Sequence, residues 1–230
     1  MESKMYQVNG IRLHVIEEGP VDGEVMIFLH GFPEFWYGWK NQVSRFASKG
    51  YRVMAVDQRG YNLSEKPSGI KSYTLDKLAG DIDALIAATG KDKVYLVGHD
   101  WGGVVAWTYS ALNPEKVNKL IVINIPNPVI MAQTLTSSFK QLIKSWYIFF
   151  IQLPFIPEFV IRFNNFFMLW HAMKGTALQG TFKKEDELKY KASWQQKGAI
   201  QAMLNWYRAS RYRTVVLKGK IEIPVLIIWG

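Results

Sequence analysis

The sequence predicts an α/β fold, a mostly parallel sheet with helices on both faces, interrupted by a helical insertion. Three observations carry that expectation. Between residues 24 and 124, short apolar runs alternate with segments of helical apolar spacing, the rhythm of a parallel sheet built from strand–helix–strand units. The rhythm breaks at Pro126, and from about 128 to 218 only amphipathic, aromatic-rich helical segments follow,. It resumes after Ile223-Pro224, where Val225–Trp229 reads as one more buried strand,. The expected organisation is therefore a core over 1–127, a helical cap over 128–218 and the start of a further core segment over 219–230.

Met5–Val8 and Ile11–Glu17 read as strands joined at Asn9-Gly10, a hairpin signal because both turn residues tolerate positive φ,. Glu24–His30 is a buried strand running into Gly31-Phe32-Pro33-Glu34. Trp36–Lys49 has helical spacing through Trp39, Val43 and Phe46 and stops at Gly50, a C-cap residue,. Tyr51–Val56 is the next strand and Asn62–Ser72 a loop. Thr74 is placed to cap a helix through Thr89, which Gly90 ends,. Val117–Asn124 is another apolar strand.

Val94–Gly103 is the most informative stretch. Val94–Val97 reads as a short strand that stops at Gly98, and Val104–Leu112 as a helix. Residues 98–102 have the form small-x-Asp-x-small. A strand turning directly into a helix forces the central residue into strained backbone geometry and crowds its flanks, so glycines are needed there. This is the nucleophile-elbow pattern with Asp where the best-known form has Ser. Taken alone, the pentapeptide is equally consistent with an Asp capping a helix N-terminus.

Composition narrows the function classes. Of 230 residues 49% are hydrophobic and 20% charged, enough apolar material for a sizeable core,. Cys is absent, so disulfides and thiolate metal sites are excluded,. The N-terminus has no apolar run suited to a signal peptide. Trp146–Trp170, the most apolar region, is broken by Pro154, Pro157, Glu158 and Arg162, so no membrane span is expected and the reading is cytoplasmic,. The net charge of +9 is uneven: residues 1–125 carry 14 Lys/Arg and 14 Asp/Glu, residues 126–230 carry 14 and 5. The bases of the second half are scattered among Phe, Trp and Tyr without a dense block, which argues against nucleic acid as a partner.

Several motifs agree in order and spacing. They are His30-Gly31-Phe32-Pro33-Glu34, Asp57-Gln58-Arg59-Gly60-Tyr61, Gly98-His99-Asp100-Trp101-Gly102-Gly103, Asn124-Ile125-Pro126-Asn127-Pro128, Trp146-Tyr147 and Asn205-Trp206-Tyr207-Arg208. Together they resemble the epoxide hydrolase family of the α/β-hydrolase fold, and are similar to the hydrolase domain of the soluble epoxide hydrolases, over nearly the whole chain.

The resemblance implies opening of a small lipophilic epoxide to a vicinal diol, with water as co-substrate and no metal or cofactor. Asp100 would be the nucleophile, ionised at neutral pH if its pKa is near the ordinary ~4. The amides of Phe32 and Trp101 would form an oxyanion hole for the alkyl-enzyme ester, on a loop supported by His30, Gly31 and Pro33. Tyr147 and Tyr207 would be paired donors to the departing epoxide oxygen, which as a bare alkoxide leaves poorly. His99 would pack within the elbow. Residues from Phe139 to Tyr212 hold 17 of the 33 aromatics, compatible with an apolar substrate pocket,. The same Asp elbow would suit a haloalkane or haloacid dehalogenase, although Phe32 stands where several haloalkane dehalogenases have Asn and Trp101 where fluoroacetate dehalogenases have Arg. A non-catalytic ligand-binding relative is the third reading.

In this fold an acid and then a His follow the nucleophile in chain order. The histidines are His14, His30, His99 and His171, and none matches the family's base; Asn124, where some relatives keep the acid, is not acidic. The expectation is a chain shortened at its C-terminus, with a last strand and helix absent, able to form the ester at Asp100 and unable to turn it over.

Overall fold

The computed structural model describes residues 1–137, 146–212, 214–215 and 221–230. The expected end of the insertion at 218, and Phe139 within it, lie outside the described residues. Seven strands form one sheet in the order β1-β2-β4-β3-β5-β6-β7: β1 Glu2–Val8, β2 Ile11–Glu18, β3 Val25–Leu29, β4 Arg52–Val56, β5 Val94–His99, β6 Val117–Ile123 and β7 Val225–Ile228. The β1–β2 hairpin and the β2–β4 pair are antiparallel, while β4, β3, β5, β6 and β7 run parallel. The hairpin turns through Asn9 and Gly10, both at positive φ as I′-type geometry requires,.

All five residues of β3 are buried, the mark of a strand covered on both faces,. Val25, Ile27 and Leu29 join the larger core with α2 (Leu75–Thr89) and α3 (Trp101–Leu112). Met26 and Phe28 join the second core, against Trp39 and Val43 of the first helical segment. That segment differs from a single helix over 36–49. Trp36–Trp39 is a 3-10 turn and α1 spans Lys40–Ala47, after which Gly50 reverses the chain at φ +89°. Thr74 precedes α2, yet its hydroxyl donates to Lys71 O, three residues back, so it caps no helical amide. β5 does not stop at Gly98 but runs through His99, where it still pairs with Ile123 of β6.

Four helices stand between β6 and β7 among the described residues, besides α4 Pro128–Ser137 which opens the segment: α5 Trp146–Ile151, α6 Ile156–Gly175, α7 Lys184–Gln195 and α8 Ala199–Ala209. Two indoles tie this cap to the loops at the C-terminal ends of the strands. Trp194 Nε1 donates to Pro33 O at 2.7 Å and Trp206 Nε1 to Arg59 O at 3.0 Å. Both rings are about 1% exposed, so each buried N–H has its acceptor,. Lys40 and Tyr37 add a third tie, both donating to Asp186 of α7. β7 is the outer strand, and its four apolar residues are exposed.

Candidate active site

The site lies where β3, β4 and β5 end and α8 covers them. Asp100 sits between β5 and α3 at φ +50°, ψ −123°, backbone territory an L-residue adopts only when its surroundings impose it,. Its carbonyl accepts Val104 N–H at 3.0 Å, so α3 starts at the residue after it. The neighbours explain the small residues. A Cβ on Gly102 would collide with the carbonyls of Leu29 and His30, and one on Gly31 would collide with the Asp100 side chain itself. The elbow and the β3 loop are thus pressed together, which leaves the amides of the loop facing the carboxylate.

Phe32 N–H donates to Asp100 Oδ1 at 2.8 Å, and the Trp101 amide also hydrogen-bonds the carboxylate. Burial pushes the Asp100 carboxyl above the ordinary carboxylate range; those two amides and His99 act against it, and Glu34 reinforces it. The ordinary pKa assumed from sequence is therefore corrected: the same crowding that orients the side chain desolvates its charge.

His30 braces the loop from below. Its Nδ1 contacts Gly31 O at 2.9 Å, while Nε2 accepts Gln58 N–H at 3.1 Å, which fixes the neutral ring with its proton on Nδ1. Complete burial holds its pKa down in agreement. Pro33 lends its carbonyl to Trp194. His99 is held by Glu34, its Nδ1 3.3 Å from Glu34 Oε2; Tyr190 OH of α7 donates to Glu34 Oε1, also at 3.3 Å. This ion pair holds the Glu34 carboxyl low and raises His99.

Tyr207 of α8 is 6% exposed and presents its ring edge-on to Trp101 (5.1 Å between centroids) and Phe32 (5.5 Å). Tyr147 of α5 is 42% exposed, its ring 6.1 Å from that of Tyr207. Two helices 60 residues apart in sequence therefore bring the paired tyrosines over the elbow. Burial, and after it the charge of Asp100, raises both phenols, Tyr207 strongly, so both keep their protons at neutral pH. Around the Asp100 carboxylate the structure thus gathers two backbone N–H donors and the aromatic rings of Phe32, Trp101 and Tyr207, with Tyr147 against Tyr207.

Three groups near the site carried no role in the sequence reading. Glu34 was visible only as the end of a motif, and Tyr190, its partner, sits in an ordinary helical pattern. Tyr61 is 1% exposed with its ring 4.6 Å from that of His30, and its buried hydroxyl has no hydrogen-bond partner among the described residues. The other histidines lie elsewhere. His14 Nδ1 is bound to buried Asp57 at 2.6 Å, and His171 is exposed on α6 with Nδ1 on Phe167 O. Among the described residues no group of three or more His, Asp or Glu is placed to hold a metal ion.

The profile of the alpha/beta hydrolase fold matches residues 24–230. The chain is 47% identical over 232 residues to the AB hydrolase superfamily protein YfhM of Bacillus subtilis (strain 168), covering all of this chain and 81% of that one. It is 40% identical to Epoxide hydrolase 1 of Caenorhabditis elegans, again over the whole chain, and spans 58% of that protein's length. Among solved structures, an epoxide hydrolase from Bacillus megaterium superposes with a TM-score of 0.89 at 36% identity, covering 99% of this chain and 82% of that one. With the family profile over most of its length and relatives of this identity and coverage, the chain belongs to the epoxide hydrolase family of the α/β-hydrolase fold.

Proposed function

We propose that the chain attacks epoxides through Asp100 and forms a covalent alkyl-enzyme ester. The observation that carries this reading is the hydrogen bond from Phe32 N–H to Asp100 Oδ1, with the tyrosine pair facing it. A carboxylate oxygen of Asp100 bonds to a ring carbon as the carbon–oxygen bond of the epoxide breaks. The departing oxygen takes the phenolic proton of Tyr147 or Tyr207 and leaves as a hydroxyl. The phenols suit this step because burial keeps them protonated. Water attack on the ester carbonyl would then place negative charge on the oxygen faced by the Phe32 and Trp101 amides. A B. megaterium relative has been solved with a naphthyloxy propanediol as its product, which favours aryl or alkyl epoxides as probes.

The hydrolytic half needs a base beside the ester, and the four histidines of the 230-residue chain are engaged by Asp57, by Gly31 and Gln58, by Glu34 and by Phe167. Residues 1–230 by themselves are therefore proposed to form the ester faster than they hydrolyse it. Intact-mass measurement after incubation with an aryl epoxide tests both halves. A stable adduct of one substrate mass, absent in Asp100→Asn, is expected; free diol accumulating over many turnovers would refute the second half, and no adduct or diol the first. Release of halide from a haloalkane in place of epoxide chemistry would favour dehalogenation.

A further inference from the structure

The outer face of the cap is aromatic where solvent should meet polar groups. Phe155, just before α6, is 83% exposed, Phe159 69% and Phe163 61%; the backbone is not helical from Phe163 to Phe166, and Phe167, 49% exposed, lies beyond that break. The backbone joins Phe159 N–H to Phe155 O, and the Phe159 and Phe163 rings lie 6.4 Å apart, so Phe155, Phe159 and Phe163 are neighbours along the first half of the segment. Trp146 and Phe149 of α5 add 63% and 59% exposed rings. Exposed apolar patches of this extent mark an interaction surface. None of the described helices is long and apolar enough to cross a membrane.

Charge identifies the occupant. Each acid on α6 and α7 is paired: Glu158 with Arg208, Glu185 with Lys189, Glu187 with Lys191 and Asp186 with Lys40. Arg162, exposed next to Phe163 before the break, and Lys174, exposed beyond it with His171, form no salt bridge among the described residues. The face is therefore aromatic with unneutralised cations, the character of a segment lying in the headgroup layer of a membrane. A second copy of this chain fits less well, because a two-fold contact through this patch sets Arg162 and Lys174 against their own kind.

We propose that the α5–α6 face of the cap docks peripherally on an anionic phospholipid surface. The Phe155–Phe159–Phe163 row and Trp146 enter the interfacial layer, and Arg162 and Lys174 meet lipid phosphates. Tyr147 follows Trp146 on α5 and its ring lies 6.1 Å from that of Tyr207, so the α5 end of the docked face adjoins the site of Asp100. If the epoxide reading above is right, lipophilic substrates would arrive from the bilayer.

Docking is read without any catalysis, by co-sedimentation with phosphatidylcholine vesicles with and without phosphatidylglycerol. The chain is expected to bind the anionic vesicles and to shift Trp fluorescence to the blue. Phe159→Ser with Phe163→Ser should weaken binding about tenfold or more. Arg162→Gln or Lys174→Gln should each weaken it about fivefold, on anionic vesicles only. Thermal melting and adduct formation at Asp100 should be unchanged in these surface variants. Absence of vesicle binding, binding indifferent to the Phe variants, or a dimer in light scattering that the double variant splits would each overturn the proposal.

Discussion

Phe32 and Asp100 are 68 residues apart in sequence and joined by one hydrogen bond, backbone N–H to Oδ1 at 2.8 Å. The bond exists because Gly31 has no Cβ: the carboxylate occupies the space a side chain would take. Gly31→Ala must therefore displace either the loop or the nucleophile. Adduct formation should fall about 100-fold, the cost of misplacing a reacting group by roughly an ångström. Intact-mass time courses check the rate, and circular dichroism checks that the sheet remains.

Asp100 is held as a partly desolvated charge, so its removal should stabilise the fold. A carboxyl whose pKa is raised in the folded chain binds more protons folded than unfolded, so stability falls as pH rises past its ordinary value,. At neutral pH Asp100→Asn is expected to melt higher than the parent and to form no adduct,. Melting at or below the parent temperature would contradict this.

The acid limb of adduct formation should lie above the ordinary carboxylate range, because protonated Asp100 is no nucleophile. His99 opposes the upward shift. His99→Gln should therefore move the limb further up in pH, while leaving the rate plateau within about threefold, since His99 is held by Glu34,. Initial rates across mildly acidic pH decide it.

The two phenols should be unequal. Tyr207 is packed between Trp101 and Phe32, whereas Tyr147 is half-exposed. Each change to Phe should slow epoxide opening by about 10²-fold or less, and the pair together by more, since one donor can partly serve for the other. Tyr207→Phe should cost more than Tyr147→Phe. Melting temperatures should barely move, because only a hydroxyl is lost.

Much of the fold was legible because it rests on periodicity. The continuous apolar runs at Val25–Leu29 and Val117–Ile123 announce buried parallel strands, and Gly50 and Gly90 end their helices at positive φ as their positions suggest. The reading failed where local patterns compete. Trp36–Trp39 has helical spacing but winds as 3-10, its first amide donating to Asp57 Oδ1 at 2.9 Å. Thr74 looks like a cap and bonds backwards. At the site, motifs announced Asp100 and its facing loop. They could not announce the desolvation of the carboxylate, or the Glu34–His99–Tyr190 cluster: the first arises where the elbow meets the β3 loop, the second where α7 meets that loop.

The indole bond from Trp194 to Pro33 attaches the cap one residue from the amide that faces Asp100. The cap and the amide that holds the carboxylate thus share one peptide's length of backbone. Of the three ties between cap and core, this one alone ends beside Asp100's own donor. A change in how α7 packs therefore reaches the Phe32–Asp100 hydrogen bond through a single residue.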